Sequence, residues 1–441
     1  MNKSISRVLG LVTASVLLCA AVPAAMAASK SVGGVCKPVG TKSTDAKGVK
    51  LTCTKVGKKL VWQKTPAGAV APVVTQVAKG RELLIGENTI ISGPAAGSFA
   101  ISQGFEAYLN YINKKGGING YTFKWAARDN AYSASQSAVV QAQLLADDPF
   151  AISIIGTLPV TSGAQITINA GSDVPLLVAA DGALVDSLAS KVPGGIFGFV
   201  PNYINLSRHD VAFITDVLKD KNFTLAYEDN ALAQGAAKEI QSYVKTKGAK
   251  LADVIPVPSG TTDFSPLAIK LKAAGSATVL MWANTPNMAG LQKAAANIGY
   301  TPQWVTPFFS LSTGYLTLAG AAAEGTYINA ITPPTSEVSD PNVKIFVDEV
   351  TAYAKTAVTG AGQQGWQLAA LLVEGIRIAT KDGKNLTQAS FKAAVKNING
   401  PVAMVDLDLR NNNWGAGSAA MFQVKGGKFV PVTKFSALPG L

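Results

Sequence analysis

A single histidine, His209, and three cysteines in 441 residues leave little material for a zinc site or a histidine-based triad. No G-x-S-x-G or G-x-x-x-x-G-K-[ST] motif occurs, so a nucleophile elbow and a phosphate-binding loop are both missing. Gly415–Ala420 matches a dinucleotide fingerprint only loosely and lies between Trp414 and the strand-like Met421–Val424, without the strand–turn–helix setting that motif needs. His209, in Ser207-Arg208-His209-Asp210, reads as a surface residue at a helix start. Charge is sparse: 15% of residues are charged, against about 25% in an average soluble domain. Apolar content of 48% excludes a disordered protein. Long apolar runs are absent except at the N-terminus, which excludes a polytopic membrane protein. No catalytic residue, metal site or cofactor is expected.

What is present begins with an address. Lys3 and Arg7 precede the apolar run Val8–Val22, and Ala25-Met26-Ala27 supplies an A-x-A cleavage signal. The expectation is a signal peptide over 1–27, cut after Ala27, and an extracytoplasmic mature protein. Cys19 invites a lipid anchor, but Leu18 stands where lipoprotein signals carry a small residue. Cleavage leaves Cys36 and Cys53, an even pair in an oxidising compartment, which reads as one disulfide. Their separation of 17 residues makes the bridge worth about 3 kcal/mol on the chain-entropy model.

Charge is unevenly placed. Residues 30–64 carry nine lysines and one acid, Asp45, whereas residues 81–441 carry 27 basic and 26 acidic side chains. Of the net charge of +12, +8 therefore belongs to a small N-terminal module, 28–64, while the protein body is nearly neutral. Such a module is either a solvated disulfide-stapled β unit or an attachment to an anionic envelope surface. Nucleic acid is not an expected partner, because the aromatic interleaving of single-strand binders is missing. Residues 65–80 read as a linker.

From Leu83 the pattern alternates between short apolar runs and amphipathic stretches. Strands are expected at Leu83–Ile85, Tyr121–Ala126, Ala151–Ile155, Val174–Ala179, Thr224–Tyr227 and Thr278–Trp282. Helices are expected around Phe105–Ile112, then over Ser135–Leu145, Gln234–Lys247, Met288–Ile298 and Gln364–Thr380. Continuous apolar strands separated by helices indicate parallel sheets covered on both faces, and about 360 residues suit two such lobes.

The ordered series ELLIGENTIISGPAAG, NKKGGING, Asp129-Asn130, Ile154-Ile155-Gly156, Gln234-Gly235, Phe264–Leu271 and Asn399-Gly400-Pro401 resembles the type I periplasmic binding proteins. The likeness is to the branched-chain amino acid subgroup of ABC-importer solute receptors, over about residues 82–435. It implies two doubly wound lobes joined by three hinge crossovers, with a small-molecule solute in the cleft and membrane permease subunits as partners. The implied division is 81–201 and 328–404 for the first lobe, 202–327 and 405–441 for the second.

Carried over residue by residue, the family's amino-acid clamp is mostly replaced. The family's first hydroxyl is expected on a loop after Ile154-Ile155-Gly156, which here is Thr157–Ser162; it falls on Val160, with Leu158 before it and Thr161 one residue late, beside Ser162. The second hydroxyl falls near Gly182, beside Ala180 and Asp181, and the ammonium-binding acid near Tyr203. Leu232 and Asn284 stand where tyrosines are expected, Asn284 next to Trp282, and the last acidic partner lies near Phe309. A zwitterion buried without paired charges costs several kcal/mol. These residues imply an apolar or aromatic solute held by a few directed hydrogen bonds. The alternative reading is a ligand-sensing or wall-associated receptor on the same fold, with Asp181 doubling as a helix cap.

Overall fold

The structure, a computed structural model, describes residues 31–37, 41–56, 59–64, 81–93 and 95–440. The expected signal segment with Cys19 and its expected cleavage site, the expected 65–80 linker, and Pro94 lie outside the described residues. Residues 1–73 and 74–441 are separate compact units.

The first unit is an antiparallel meander of β1 (Lys42–Thr44), β2 (Lys50–Val56) and β3 (Lys59–Lys64). Its core is only Cys36, Leu51, Cys53 and Trp62, with Val49 and Leu60 packed against them. So small a core needs a covalent staple. Cys36 and Cys53 provide it, with Cα atoms 5.7 Å apart. Lys37, Lys47 and Lys59 are exposed.

The second unit opens with a five-stranded parallel sheet. Its strands are β4 (Glu82–Thr89), β5 (Thr122–Asp129), β6 (Ala151–Ile155), β7 (Leu176–Ala179) and β8 (Ile196–Gly198), in the order β5-β4-β6-β7-β8. Between them run α1 (Phe99–Lys114), α2 (Ala134–Ala146), α3 (Thr157–Ala170) and α4 (Gly182–Ala189). The segment AISII of β6 is buried throughout because helices cover both sides of the sheet.

The chain then crosses to a second sheet through α5 (Tyr203–Ala212), which continues as a π-helical turn, Phe213–Val217. There follow β9 (Asn222–Asp229), α6 (Ala231–Thr246), β10 (Lys250–Pro258), α7 (Ser265–Ala274), β11 (Thr278–Trp282), α8 (Thr285–Asn297), β12 (Gln303–Thr306), α9 (Thr313–Ala319) and β13 (Tyr327–Ala330). After β13 the chain returns, and α10 (Pro341–Ala354), α11 (Gly360–Ala379) and α12 (Gln388–Val395) pack on the first sheet; Phe391 of α12 meets Phe150 and Phe197 edge-on. A ribbon of β14 (Asn399–Val402) and β15 (Val405–Asp408) leads into the third passage. The strands β16 (Ser418–Lys425), β17 (Lys428–Pro431) and β18 (Ser436–Ala437) complete the second sheet, β10-β9-β11-β12-β13-β16-β17, with β18 on β16. Two parallel-sheet lobes joined by three crossovers are thus present.

The boundaries shift from those read in the sequence. β13 stays in the second sheet, paired to β12 and β16, so the second crossover follows Ala330. Residues 405–414 stay with the first lobe, because Asn413 Nδ2 donates to Ile196 O at 2.9 Å and Trp414 Nε1 to Asp186 Oδ2 at 2.8 Å. The chain enters the second sheet only at Ser418.

The first lobe depends on a close crossing of α1 and α11. A Cβ on Gly104 would sit 1.9 Å from Gly362 O, and one on Gly365 only 1.6 Å from Ile101 O. The helices meet backbone to backbone, where only glycine fits. Gly365→Ala should therefore cost more than ~3 kcal/mol or give insoluble protein. Gly235→Ala, in mid-α6 with nothing within 4 Å of its would-be Cβ, should add ~0.5–1 kcal/mol. Paired thermal melts of the two variants check both signs; equal behaviour would contradict the packing argument.

Candidate functional site

In a parallel sheet every strand ends at the same edge, and the three crossovers leave both sheets at that edge. The two carboxyl edges therefore face one another across the hinges, and the residues just past each strand line the space between.

On the first lobe, β5 ends at Asp129 and is followed by Asn130, Ala131 and Tyr132. Ala131 and Tyr132 take φ of +50° and +56°, a left-handed pair without glycine. Side chains hold the strain. Asp129 Oδ1 accepts from Ala131 N at 2.9 Å, and Asn130 Oδ1 from Tyr132 N at 2.8 Å. Asn130 Nδ2 in turn donates to Asn88 Oδ1 at 3.0 Å. Desolvation pushes the Asp129 carboxyl up, but hydrogen bonds from the Ser92 hydroxyl and from the Ala131, Ile91 and Ser92 backbone together outweigh it and hold the group at about 2. The result lays the Tyr132 ring over Gly156, where an added Cβ would come within 2.9 Å of Cε2.

Gly156 begins α3 with φ +93° and offers no capping side chain. At these edges α4, α5, α6 and α8 are capped by Asp181, Asn202, Asn230 and Asn284, whereas α1 and α7, like α3, have no capping side chain. In the first turn of α3 Pro159 has no N–H and Val160 N donates to Gly156 O, so the N–H groups of Thr157 and Leu158 are the ones left for another acceptor. Leu158, in that turn, is 51% exposed.

On the second lobe the wall is aromatic. The Tyr203 ring centroid lies 5.9 Å from Trp282, 5.9 Å from Phe308 and 5.7 Å from Phe309, and the Phe308 and Phe309 rings meet tilted at 48° with centroids 4.4 Å apart. Asp181 Oδ1 accepts from Tyr203 N at 2.9 Å and from Ala183 N at 3.2 Å, tying this wall to the first lobe at the crossover. Burial raises the Tyr203 phenol above its ordinary value, with the Asp181 carboxylate and Tyr132 adding to the effect.

The expected site residues separate accordingly. The segment Thr157–Ser162, read as a loop, is the first half of α3. Val160 therefore turns into the first lobe's core at 0% exposure, and Ala180 is buried in the same cluster. The Thr161 and Ser162 hydroxyls donate back to Thr157 O at 3.0 Å and Leu158 O at 3.2 Å. Trp282 is fully buried and backs the wall instead of lining it. Asn284 caps α8 and donates through Nδ2 to Glu228 Oε1 at 3.1 Å. Leu232 and Phe309 are half-buried against the core. His209 is half-buried in the last turn of α5 and not at a surface helix start; burial lowers its imidazole to about 4. Sequence reasoning misses Tyr132. The only sequence trace of Tyr132 is the Asp129-Asn130 pair, whose short side chains can hold a left-handed turn.

Beneath the first edge, on the α1 face of the sheet, lies an acidic pair. The Ser102 hydroxyl donates to Glu87, and the Tyr353 hydroxyl donates to Glu106 Oε2 at 2.8 Å. Burial, then the nearby Glu106 charge, raises Glu87 well above the ordinary glutamate value; burial also raises Glu106. Among the described residues, Glu87 Oε1 and the hydroxyls of Ser153 and Thr89 on the same sheet face are buried without a partner. No group of three or more His, Cys, Asp or Glu suited to a metal occurs among the described residues.

The comparisons agree with this architecture. A profile described as Periplasmic binding protein matches residues 83–428, and the chain belongs to that family. Among curated relatives it is 25% identical over 246 residues to the leucine-, isoleucine-, valine-, threonine- and alanine-binding protein of Pseudomonas aeruginosa, spanning 55% of this chain and 64% of that one. Its fold matches a branched-chain amino acid ABC transporter protein from Thermus thermophilus with bound valine, at TM-score 0.71 and 19% identity over 82% and 98% of the chains. A fatty acid ABC transporter substrate-binding protein from Thermomonospora curvata superposes at TM-score 0.68 with 17% identity over 83% and 95%. An R. palustris solute-binding protein in complex with 4-hydroxybenzoate also gives TM-score 0.68, with 18% identity over 81% and 98%.

A pH dependence follows from the buried acids. Asp210, wholly buried, is pushed up to about 8 by desolvation, against hydrogen bonds from Asn329 and Trp282. Raised folded values mean that folding favours the protonated forms. Their contribution is complete below the unfolded values near 4 and is lost as pH rises through the folded ones. Melting points should fall between about pH 5 and 8, and Glu87→Gln should flatten that slope. An unchanged slope in Glu87→Gln would show that Glu87 ionises as freely folded as unfolded.

Proposed function

We propose that this chain is an extracytoplasmic solute-binding protein of an ABC importer, without enzymatic activity, which captures a small apolar or aromatic solute as its lobes close. The observation carrying this reading is the Tyr203–Phe308–Phe309 wall opposite the uncapped start of α3. The wall offers ring faces and almost no charge. The α3 N–H groups offer hydrogen bonds to a carboxylate or amide end, which the helix dipole favours. Leu158, Tyr132 and Leu232 would complete an apolar lining, with Asp181 and Asn284 as polar groups at the margin. The relatives' solutes, from aliphatic amino acids to 4-hydroxybenzoate, show how much ligand chemistry this scaffold accommodates.

A thermal-shift screen tests the ligand class, because a solute that binds the native state stabilises it by RT ln(1 + [L]/Kd). Aromatic and apolar carboxylates or amides should raise the melting point more than leucine, isoleucine or valine at equal concentration. Each charge-assisted hydrogen bond lost from the amino-acid clamp is worth ~1.5–3 kcal/mol, so two losses weaken an aliphatic amino acid by about a hundredfold or more. Phe309→Ala should abolish the shift of an aromatic hit, whereas Trp282→Ala should lower unliganded stability by ~3–5 kcal/mol. Micromolar binding of a branched-chain amino acid would sink the assignment.

A second reading concerns location. The lysine-rich module, expected to follow a signal peptide cut after Ala27, suits attachment to an anionic envelope polymer. Envelope bound at low salt should release the full chain as ionic strength rises, since the Debye length shrinks from ~10 Å at 0.1 M to ~3 Å at 1 M. Equal retention of a chain beginning at Gly80 would remove the attachment idea.

A further inference from the structure

Behind the aromatic wall lies a carboxylate that the solute reading does not use. Asp210 sits on α5, just past the first crossover, with 0% exposure. Its Oδ2 accepts from Trp282 Nε1 at 2.9 Å, and its Oδ1 accepts from Asn329 Nδ2 at 2.8 Å. Asn329, on β13 just before the second crossover, accepts the Phe308 backbone N–H through its own Oδ1 at 2.8 Å. Asp210 therefore reaches the ends of β11 and β13 directly, and the turn after β12 through Asn329. Neutral donors hold it, and no salt bridge to it occurs among the described residues. A buried carboxyl group with no charged partner is an expensive way to fill a core, even where burial favours its protonated form, and an apolar side chain would pack without that cost. What an apolar side chain cannot do is fix the indole and the Asn329 amide in one orientation at once.

We propose that Asp210 is a positioning residue for the solute wall: by orienting Trp282 and Asn329 it sets where Tyr203, Phe308 and Phe309 stand, and so which solutes the cleft accepts. This rests on the solute-binding reading for its consequence but not for its geometry. Trp282 is the surface on which Tyr203 and Phe309 rest, with centroids at 5.9 Å and 6.3 Å. The Phe308 N–H is fixed through Asn329. Both anchors of the wall thus converge on one side chain, placed between the two crossovers about which the lobes would close.

The arrangement allows a test by exchange of partners. Asp210→Asn sets an amide N–H against the Asn329 N–H, and Asn329→Asp alone sets two carboxylates together. The double variant Asp210→Asn/Asn329→Asp restores every hydrogen bond. Its amide at position 210 accepts from Trp282 and donates to the carboxylate at position 329, which still accepts from Phe308 N. Hydrogen exchange should show peptides covering 278–284 and 304–311 exchanging at least about tenfold faster in Asp210→Asn, with the first-lobe strand 151–155 unchanged. The double variant should return them to wild-type protection. Acceleration spread equally over 151–155 would mark a general stabilising role and overturn the proposal, as would wild-type protection of 304–311 in Asp210→Asn. If Asp210→Asn does not fold, Trp282→Phe, which removes the Nε1 donor, should loosen the same two peptides; unaltered protection there would equally overturn it. With 4-hydroxybenzoate as probe, Asp210→Asn should raise Kd at least about tenfold and the double variant should recover it. A wild-type protein that does not bind this probe would count against the aromatic solute reading, while the exchange pattern decides the role of Asp210.

Discussion

The direction of the strands governs everything else in the main body. Because β4 to β8 are parallel to one another, and β9 to β13 likewise, each lobe gathers its helix starts and irregular turns along a single edge. Both edges meet where the chain crosses between lobes. The residues placed there have few local reasons to be where they are: Tyr132 follows one strand, Gly156 the next, and Phe308 lies in the other lobe. Parallel pairing, and the helices it requires on both faces, bring them into one space.

The packing behind the edges is tight on one side and polar on the other. In the first lobe, glycines let α1 and α11 touch through their backbones, which leaves no slack for the sheet beneath to shift. Glu87 and Glu106 sit under that crossing, both raised by burial, and the Glu106 charge further opposes ionisation of Glu87. In the second lobe, Asp210 occupies a comparable depth, but its two donors converge on the solute wall. Buried carboxylates thus stand on both sides of the cleft. The first pair is coupled to helix packing and the other is coupled to the surface that would face a solute. The small N-terminal unit follows different rules: its core is minimal, a disulfide closes it, and it carries most of the chain's net charge.

Much of the fold was legible because hydrophobic period and turn residues are local signals. The strands at Ala151–Ile155 and Thr278–Trp282 stand where apolar runs put them, and the export context made Cys36 and Cys53 a pair. The segment after β6 misled, since the resemblance implied a loop at Thr157–Ser162 where the chain is helical. Proline at the third position of α3 costs no helical hydrogen bond, because the first-turn N–H groups have no partner within the helix. That one difference turned Val160 into the core and occupied the hydroxyls of Thr161 and Ser162 within the helix.

The sequence by itself determined the class of fold, the disulfide and the segregation of charge, since each depends on residue type and order. Only the tertiary structure decided how deeply each aromatic ring is packed. Trp282, Phe308 and Phe309 look equally exposed or equally buried in a string of letters. Their positions depend on a carboxylate 72 residues before Trp282 that bonds its indole and on an amide 21 residues after Phe308 that fixes its backbone. Contacts across such separations depend on how strands are ordered in a sheet, which no local pattern records.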